Sequence, residues 1–242
     1  LYISVIITVM VAFLLSTLTI KAFKLPDFQA GSYSQSCIRF NTYVGVAVVL
    51  NTLGDQGIQV FGILIGIIIP IINVLVIVIL IWHSGFDYSP KRKLINVSKE
   101  LIKNPLVLGC LAGIIYSKVL GSFPTFLDNT FSLMSMITLP LALLSIGAVL
   151  TFQSLRIHFK VSMLAALFKL LLMPVLGYFL LKRFNVVGLP FKTAMLFFAL
   201  PTSTALYVLS AQLNSDTELA SASIVLSTVL SFISLSVVLL LF

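Results

Sequence analysis

Apolar residues run through this 242-residue chain in long blocks, not in an alternating or amphipathic pattern. Leu1–Ile20 is a full block, and Ile38–Leu53 is a shorter one with a polar start. Ile58–Trp82 is long and holds Pro70 and Asn73. Pro105–Ser117 and Phe131–Leu150 follow, the latter with Pro140 inside. Phe159–Leu181 carries Lys169 and Pro174, Phe191–Ala211 carries Pro201, and Leu219–Phe242 closes the chain. Blocks near this length match the reach of an α-helix across a bilayer. The pattern predicts an all-α multi-pass membrane protein with eight helices. A basic stretch, Lys91-Arg92-Lys93 through Lys103, separates the third block from the fourth, with Gly85 and Pro90 as breakers.

Two blocks are interrupted at matching places. The first runs from Arg39-Phe40-Asn41-Thr42-Tyr43-Val44-Gly45 to Gly54-Asp55, and the second from Phe198-Ala199-Leu200-Pro201-Thr202-Ser203-Thr204 to Asn214-Ser215-Asp216. Each opens on helix-breaking polar, Pro or Gly residues, ends at a short acidic turn, and precedes a long apolar helix. A bilayer tolerates freed backbone groups only where protein buries them or a watery cavity receives them. Broken segments in corresponding halves are the sequence mark of a secondary transporter's binding site. The offset is about 160 residues, which sets Asn41 opposite Pro201 and Asp55 opposite Ser215-Asp216. With an odd number of crossings per copy, the two copies have opposite orientation.

The organisation that follows is a first inverted repeat over 1–82, a cytoplasmic loop over 83–104 and a second repeat over 105–242. The second copy has two helices ahead of its triplet and the first has none. Symmetry therefore predicts two more helices before Leu1, roughly 55–65 residues in total, and the chain opens on Leu rather than Met. The expected parent has ten helices in two inverted five-helix repeats.

Composition sharpens this picture. Hydrophobic residues make up 60% and charged residues 9% of the chain, against roughly 25% charged in a soluble domain. The net charge of +8 would suit nucleic acid, but the basic residues lie between the apolar blocks, as in loops of a membrane protein. Lys21, Lys24, Arg39, Lys91, Arg92, Lys93, Lys99, Lys103, Arg156 and Lys160 fall on one side, ten in all; Lys118, Lys182, Arg183 and Lys192, four, fall on the other. Ten against four places the 83–104 loop in the cytoplasm and Phe242 outside, in a bacterial inner membrane, provided Ile38–Leu53 crosses fully. Cys37 and Cys110 have no metal-type neighbours, and no zinc, nucleophile-elbow or phosphate-loop motif occurs. No enzyme, cofactor, metal site or ATP-driven pump is expected.

The segment Arg39–Gly45, closing at Leu53-Gly54-Asp55-Gln56-Gly57, resembles the fourth helix of the auxin efflux carrier family. Leu139-Pro140-Leu141-Ala142-Leu143-Leu144-Ser145-Ile146-Gly147-Ala148 resembles its seventh. Leu200-Pro201-Thr202-Ser203-Thr204-Ala205-Leu206-Tyr207-Val208-Leu209 with Asp216-Thr217-Glu218-Leu219-Ala220 resembles its ninth and tenth. The resemblance covers essentially the whole chain. It implies the crossed-helix fold shared with sodium/proton antiporters and bile-acid symporters, and transport of small organic anions such as malate, malonate or auxin. Many relatives have Gly-x-Pro in helix four, where this chain reads Gly45-Val46-Ala47, so the bend is expected to rest on Gly45 and Asn41.

Candidate binding residues follow from these breaks. Pro201 lacks an N–H and frees the Phe197 carbonyl, and Thr202, Ser203 and Thr204 offer hydroxyls beside it. Re-satisfying a kinked helix is their plainer role. Asn41 can donate and accept; it aligns with an asparagine that touches the substrate carboxylate in the resembling plant carriers, and a helix N-cap is the alternative. Half-helix N-termini favour a carboxylate. Arg39 is either an interfacial residue at the cytoplasmic mouth or a direct anion contact. Lys169 lies about 13 and 20 Å along the helix from Lys160 and Lys182, near mid-membrane, where a lysine costs about 2.5–3.5 kcal/mol. It is expected either to change protonation with transport or to be a fixed cation tethering the crossing, with Pro174 freeing the Leu170 carbonyl nearby. Pro70, Asn73, Pro140 and Pro174 are helix-break or cavity positions, Asn73 first as an interhelical contact. Asp55, Asp216 and Glu218 read as solvated turn residues, and His83 and His158 as interfacial.

The expected function is alternating-access transport of small organic anions, with uniport or proton coupling favoured over sodium because no mid-membrane carboxylate is present. The alternatives are a carrier of neutral or sulfur-containing metabolites, or a non-transporting receptor or partner subunit with the same fold. Expected partners are the anion and the lipid bilayer, not nucleic acid, and a homodimer is left open.

Overall fold

The computed structural model describes residues 1–84, 90–149 and 152–242. The chain is helical from end to end among these residues. α1 (Tyr2–Ala22) leads through a tight turn, with Lys24 at positive φ, into α2 (Asp27–Ile38). After the extended Arg39 comes α3 (Thr42–Trp82), bent at Gly54 with φ 64° and ψ −160°, a backbone region open essentially to glycine alone. α4 (Pro90–Lys103), α5 (Pro105–Val119) and α6 (Thr125–Val149) follow. α7 (Phe152–Leu167) widens into one π-helical turn (Phe168–Leu172) and continues as α8 (Met173–Arg183). Pro174 explains the widening, because it brings no N–H to the ladder at that point. The chain closes with α9 (Gly188–Ala199), a break at 200–204, α10 (Ala205–Gln212) and α11 (Thr217–Leu241). Four stretches among the described residues are long and apolar enough to cross a membrane: Tyr2–Ala22, the broken Asp27–Trp82, Leu155–Arg183 and Thr217–Leu241.

Superposing the numbering of the halves shows the repeat. α2 and α9 both have 12 residues and start and end 161 residues apart (188 − 27 and 199 − 38). α1 and the α7–α8 span end 161 residues apart as well (183 − 22). The inversion is visible at one end of the bundle. There the first turn of α2 meets the turn before α11, with the Asp216 amide donating to the Phe28 carbonyl at 3.0 Å. His158, at the start of the α7–α8 span, reaches the same Asp216. One copy thus ends its first span where the other begins its own.

Several expectations change. The first broken span begins earlier than Ile38: Asp27–Ile38, expected as a connection, is a helix buried from Ala30 onward. Its polar residues escape an apolar reading because they pair inside the protein; Ser32 Oγ meets Ser210 Oγ, Ser215 Oγ and the Asp216 carbonyl at 2.7–2.9 Å. Pro70 does not interrupt α3, whose non-helical backbone is confined to Gly54. Pro140 likewise lies inside α6 and is exposed. The basic 83–104 stretch contains α4, with Pro90 at its first turn. Gly85 lies outside the described residues, as do most side chains of the Leu139–Ala148 motif.

Candidate substrate site at the crossing of the broken helices

The two breaks touch each other. The Asn41 amide donates to the Pro201 carbonyl at 2.8 Å, so the backbone freed in one repeat satisfies the backbone freed in the other. This answers the accounting that a membrane interior imposes on unwound segments. Asn41 Oδ1 also accepts from the Val44 amide at 3.2 Å, capping α3, while its Nδ2 is buried without a hydrogen-bond partner. On the other strand of the crossing the Thr202 amide donates to Ser227 Oγ at 3.3 Å, and Thr202 Oγ1 is buried and unpaired. Polar residues 161 apart (234 − 73) steady both breaks. Asn73 Oδ1 accepts from Arg39 at 2.8 Å, and Ser234 Oγ donates to the Ala199 carbonyl at 2.9 Å.

Beside the crossing lies a cavity of about 320 Å³. Arg39, Asn73, Ser203, Thr204, Thr42 and Tyr43 give it polar groups, and Phe40, Phe197 and Ile72 give it apolar walls. The first turns of α3 and α10 border it, each supplying the partial positive charge of a helix N-terminus. No described acidic residue lines it. Arg39 is 4% exposed, its Nε donating to Gln35 Oε1 at 3.1 Å and its Nη2 to Asn73. It is therefore a cavity residue in the break and not an interfacial one. Gln35 and Asn73 orient its planar guanidinium while leaving it further donors for a carboxylate.

The other sequence candidates divide around this cavity. Asn41, Pro201 and Thr202 form the buried crossing behind it. Gly45 has helical backbone, and a Cβ there would come within 2.4 Å of Phe61 Cζ and 2.8 Å of Leu200 Cδ1. Its role is close packing of α3, and the bend falls at Arg39–Asn41 instead. Lys169 is fully buried in the π-helical turn, and its Nζ rests 3.1 Å from the centre of the Phe40 ring, with no hydrogen bond. The face of an aromatic ring attracts a cation, and the C-terminal end of α2, just before Phe40, adds partial negative charge. Phe40 in turn stacks on Phe197 at 3.9 Å. Pro174 lies on the apolar outer groove between α8 and α11, away from the cavity. Pro70 and Pro140 are not among the lining residues. Phe40, Phe197, Tyr43, Tyr207 and Gln35 were not singled out from the sequence; aromatic residues flanking both breaks were the available signal.

Asp216 departs from its expected solvated role. It is 5% exposed, caps α11 by accepting from the Leu219 amide at 2.9 Å, and takes a second bond from Gln29 at 3.1 Å. Asp55 and Glu218 are exposed, as turn residues are expected to be. His83 pairs with Asp27 at 2.7 Å, and His158 lies 3.5 Å from Glu218.

A multi-pass helical membrane protein with two crossed, inverted broken spans belongs to the class of membrane transporters. This chain belongs to the membrane transport protein family of auxin efflux carriers, whose family profile matches residues 1–239. It is similar to an uncharacterized transporter of Methanocaldococcus jannaschii, 24% identical over 215 residues that cover 87% of this chain and 68% of that protein. A Rhizobium meliloti protein whose name assigns it provisionally to malonate transport is 27% identical over 150 residues, 61% of this chain and 47% of the relative. An uncharacterized transporter of Methanothermobacter thermautotrophicus is 29% identical over 141 residues, 58% of this chain and 46% of its own length. The aligned part thus spans about half the length of two of these relatives.

Proposed function

We propose that the protein carries small organic anions, carboxylates first, across the bacterial inner membrane by alternating access around the crossing. The observation that carries this reading is the cavity, which combines an oriented arginine, hydroxyls and two helix N-termini with no described carboxylate on its walls. A carboxylate bound there would accept from Arg39 and from Ser203 or Thr204, its hydrocarbon part resting on Phe40 and Phe197. The unpaired donors of Asn41, Asn73 and Thr202 lie in the same crossing and would be satisfied as the helices rearrange. The malonate-related name of one relative points to the same class of substrate. Uniport or proton coupling suits the site better than sodium coupling, since the described crossing offers a sodium ion no carboxylate.

Uptake of labelled malonate, malate and a monocarboxylate into proteoliposomes tests the reading. Saturable uptake of at least one is expected, with Arg39→Gln reducing it tenfold or more and Arg39→Lys reducing it less. Absence of uptake of all three, or Arg39→Gln transporting like the wild type, refutes it. A neutral-metabolite carrier would instead keep its uptake when Arg39 is replaced.

A further inference from the structure

Among the described residues the buried side chains of Asp, Glu, Lys and Arg type are those of Arg39, Lys169 and Asp216. Asp216 is engaged at one end of the bundle, by the Leu219 amide and Gln29. Both cations belong to the crossing, and no described acidic residue lines the cavity beside it. The repeat itself requires neither of them. At the 161-residue offset Arg39 corresponds to Leu200 (200 − 39), and Lys169 corresponds to Thr8 (169 − 8). Leu200 is apolar, and Thr8 is satisfied by donating to the Ser4 carbonyl at 2.7 Å. Each position is thus held once by a cation and once by a neutral residue within the same fold.

Lys169 is also placed to act on the cavity. Its Nζ has no hydrogen-bond partner and rests 3.1 Å from the centre of the Phe40 ring. Phe40 is a wall of the cavity and stacks on Phe197, another of its walls. The ammonium therefore lies one ring away from the space an anion would fill. A ring admits no water, so a buried charge behind it is screened far less than one at a surface. A buried charge without a counter-charge is costly. A single carboxylate on Arg39 would leave the second cation of the crossing uncompensated.

We propose that Lys169 determines specificity as a second cation, reading the charge of the bound anion through the Phe40 ring and selecting a short dicarboxylate over a monoanion of the same shape. One carboxylate of the ligand pairs with Arg39. The other lies toward the Phe40 wall, where the field of Lys169 holds it without a direct bond. A neutral group in that place loses the attraction and keeps its packing contacts, so the discrimination is by charge and not by size. Lys169 is a positioning residue in this scheme, since it acts through the ring and does not touch the ligand. The inference rests on the anion-carrier reading and narrows it to dianions.

The test compares malonate with malonamate, its monoamide, which has the same outline and one charge fewer, at a pH where malonate is doubly ionised. Dissociation constants are measured by isothermal titration on the whole chain in lipid nanodiscs. The wild type is expected to bind malonate roughly tenfold or more tightly than malonamate. Lys169→Met and Lys169→Gln, two neutral variants, are expected to lose most of that ratio by weakening malonate while malonamate stays near its wild-type affinity. Lys169→Arg keeps a cation that can stack on the ring and is expected to keep the preference. A lysine with a merely structural role would move both ligands together and leave the ratio alone. An unchanged ratio in the neutral variants, or a wild type that binds both ligands equally, overturns the role of Lys169 and leaves the anion-carrier reading standing. A wild type that binds neither ligand refutes that reading and this inference with it.

Discussion

At the residue scale the crossing depends on two opposite requirements, space at one position and a polar partner at another. Gly45 gives up its side chain so that Phe61 and Leu200 can pack against α3. Gly45→Ala forces a buried ring aside, an overpacking cost of about 1–3 kcal/mol, and should lower the thermal midpoint of the detergent-solubilised protein. Gly62 and Gly66, on the same helix with open space around them, make the internal control. Alanine there should leave stability unchanged or raise it, since glycine disfavours a helix by about 0.8–1.0 kcal/mol relative to alanine. Asn73 supplies the opposite case. Asn73→Leu removes the oxygen that accepts from Arg39, and a bond to a charged group is worth about 1.5–3 kcal/mol. The guanidinium is then held by Gln35 alone. On the proposed anion-carrier function, substrate affinity measured by uptake kinetics should fall more than maximal flux, because Asn73 would orient Arg39 toward the anion without moving the helices. Equal losses in both would place Asn73 in the rearrangement itself.

At the level of elements, the chain's pattern made the second broken span far more legible than the first. Pro201 announces a break by removing a donor, and Thr202–Thr204 mark where freed groups can be met. The first break has no proline, and the helix leading into it, Asp27–Ile38, reads as a polar connection because it carries Ser32, Ser34, Gln35 and Ser36. Ser32 and Gln35 pair with α10 and the turn before α11, and no local pattern reveals partners more than 170 positions away. Ser34 meets Ser16 of α1, and Ser36 bonds back to the Ser32 carbonyl. Lys169 was legible as a deep cation because depth is a matter of counting along a helix. Its seat on Phe40 was not, since that contact depends on how the repeats interleave. The same turn explains Asp216, which looked like a solvated acid and is a helix cap. Asp216→Ala removes the cap on α11 and the bond from Gln29. The cap alone is worth about 1 kcal/mol, so this variant should melt several degrees lower. Asp55, its repeat counterpart at the 161-residue offset (216 − 55), is exposed, and Asp55→Ala should stay within about 0.5 kcal/mol of the wild type.

For the whole molecule, the structure revises the charge tally that orients the chain. Arg39 is in the break and not at a surface, so the count of ten falls to nine against four (10 − 1), and the bias survives. The ends also agree with one another. Asp27 with His83, and Asp216 with Phe28 and His158, tie the turns at 23–26, 83–84 and 213–216 and the start of the α7–α8 span to one face of the bundle. That face holds Lys21, Lys24 and the basic α4, whose Val97 and Leu101 pack on the core while Ile95 and Ile102 are exposed. A helix with this division is suited to the headgroup layer of the leaflet it borders. Single cysteines placed in a cysteine-free background report which leaflet that is. A cysteine substituted for Lys99 should resist a membrane-impermeant maleimide applied to whole cells and react after permeabilisation. One substituted for Ser122, in the turn between α5 and α6 at the opposite end, should react from outside without permeabilisation. The reverse labelling would invert the molecule and place the face that holds Lys21, Lys24 and α4 outside the cell.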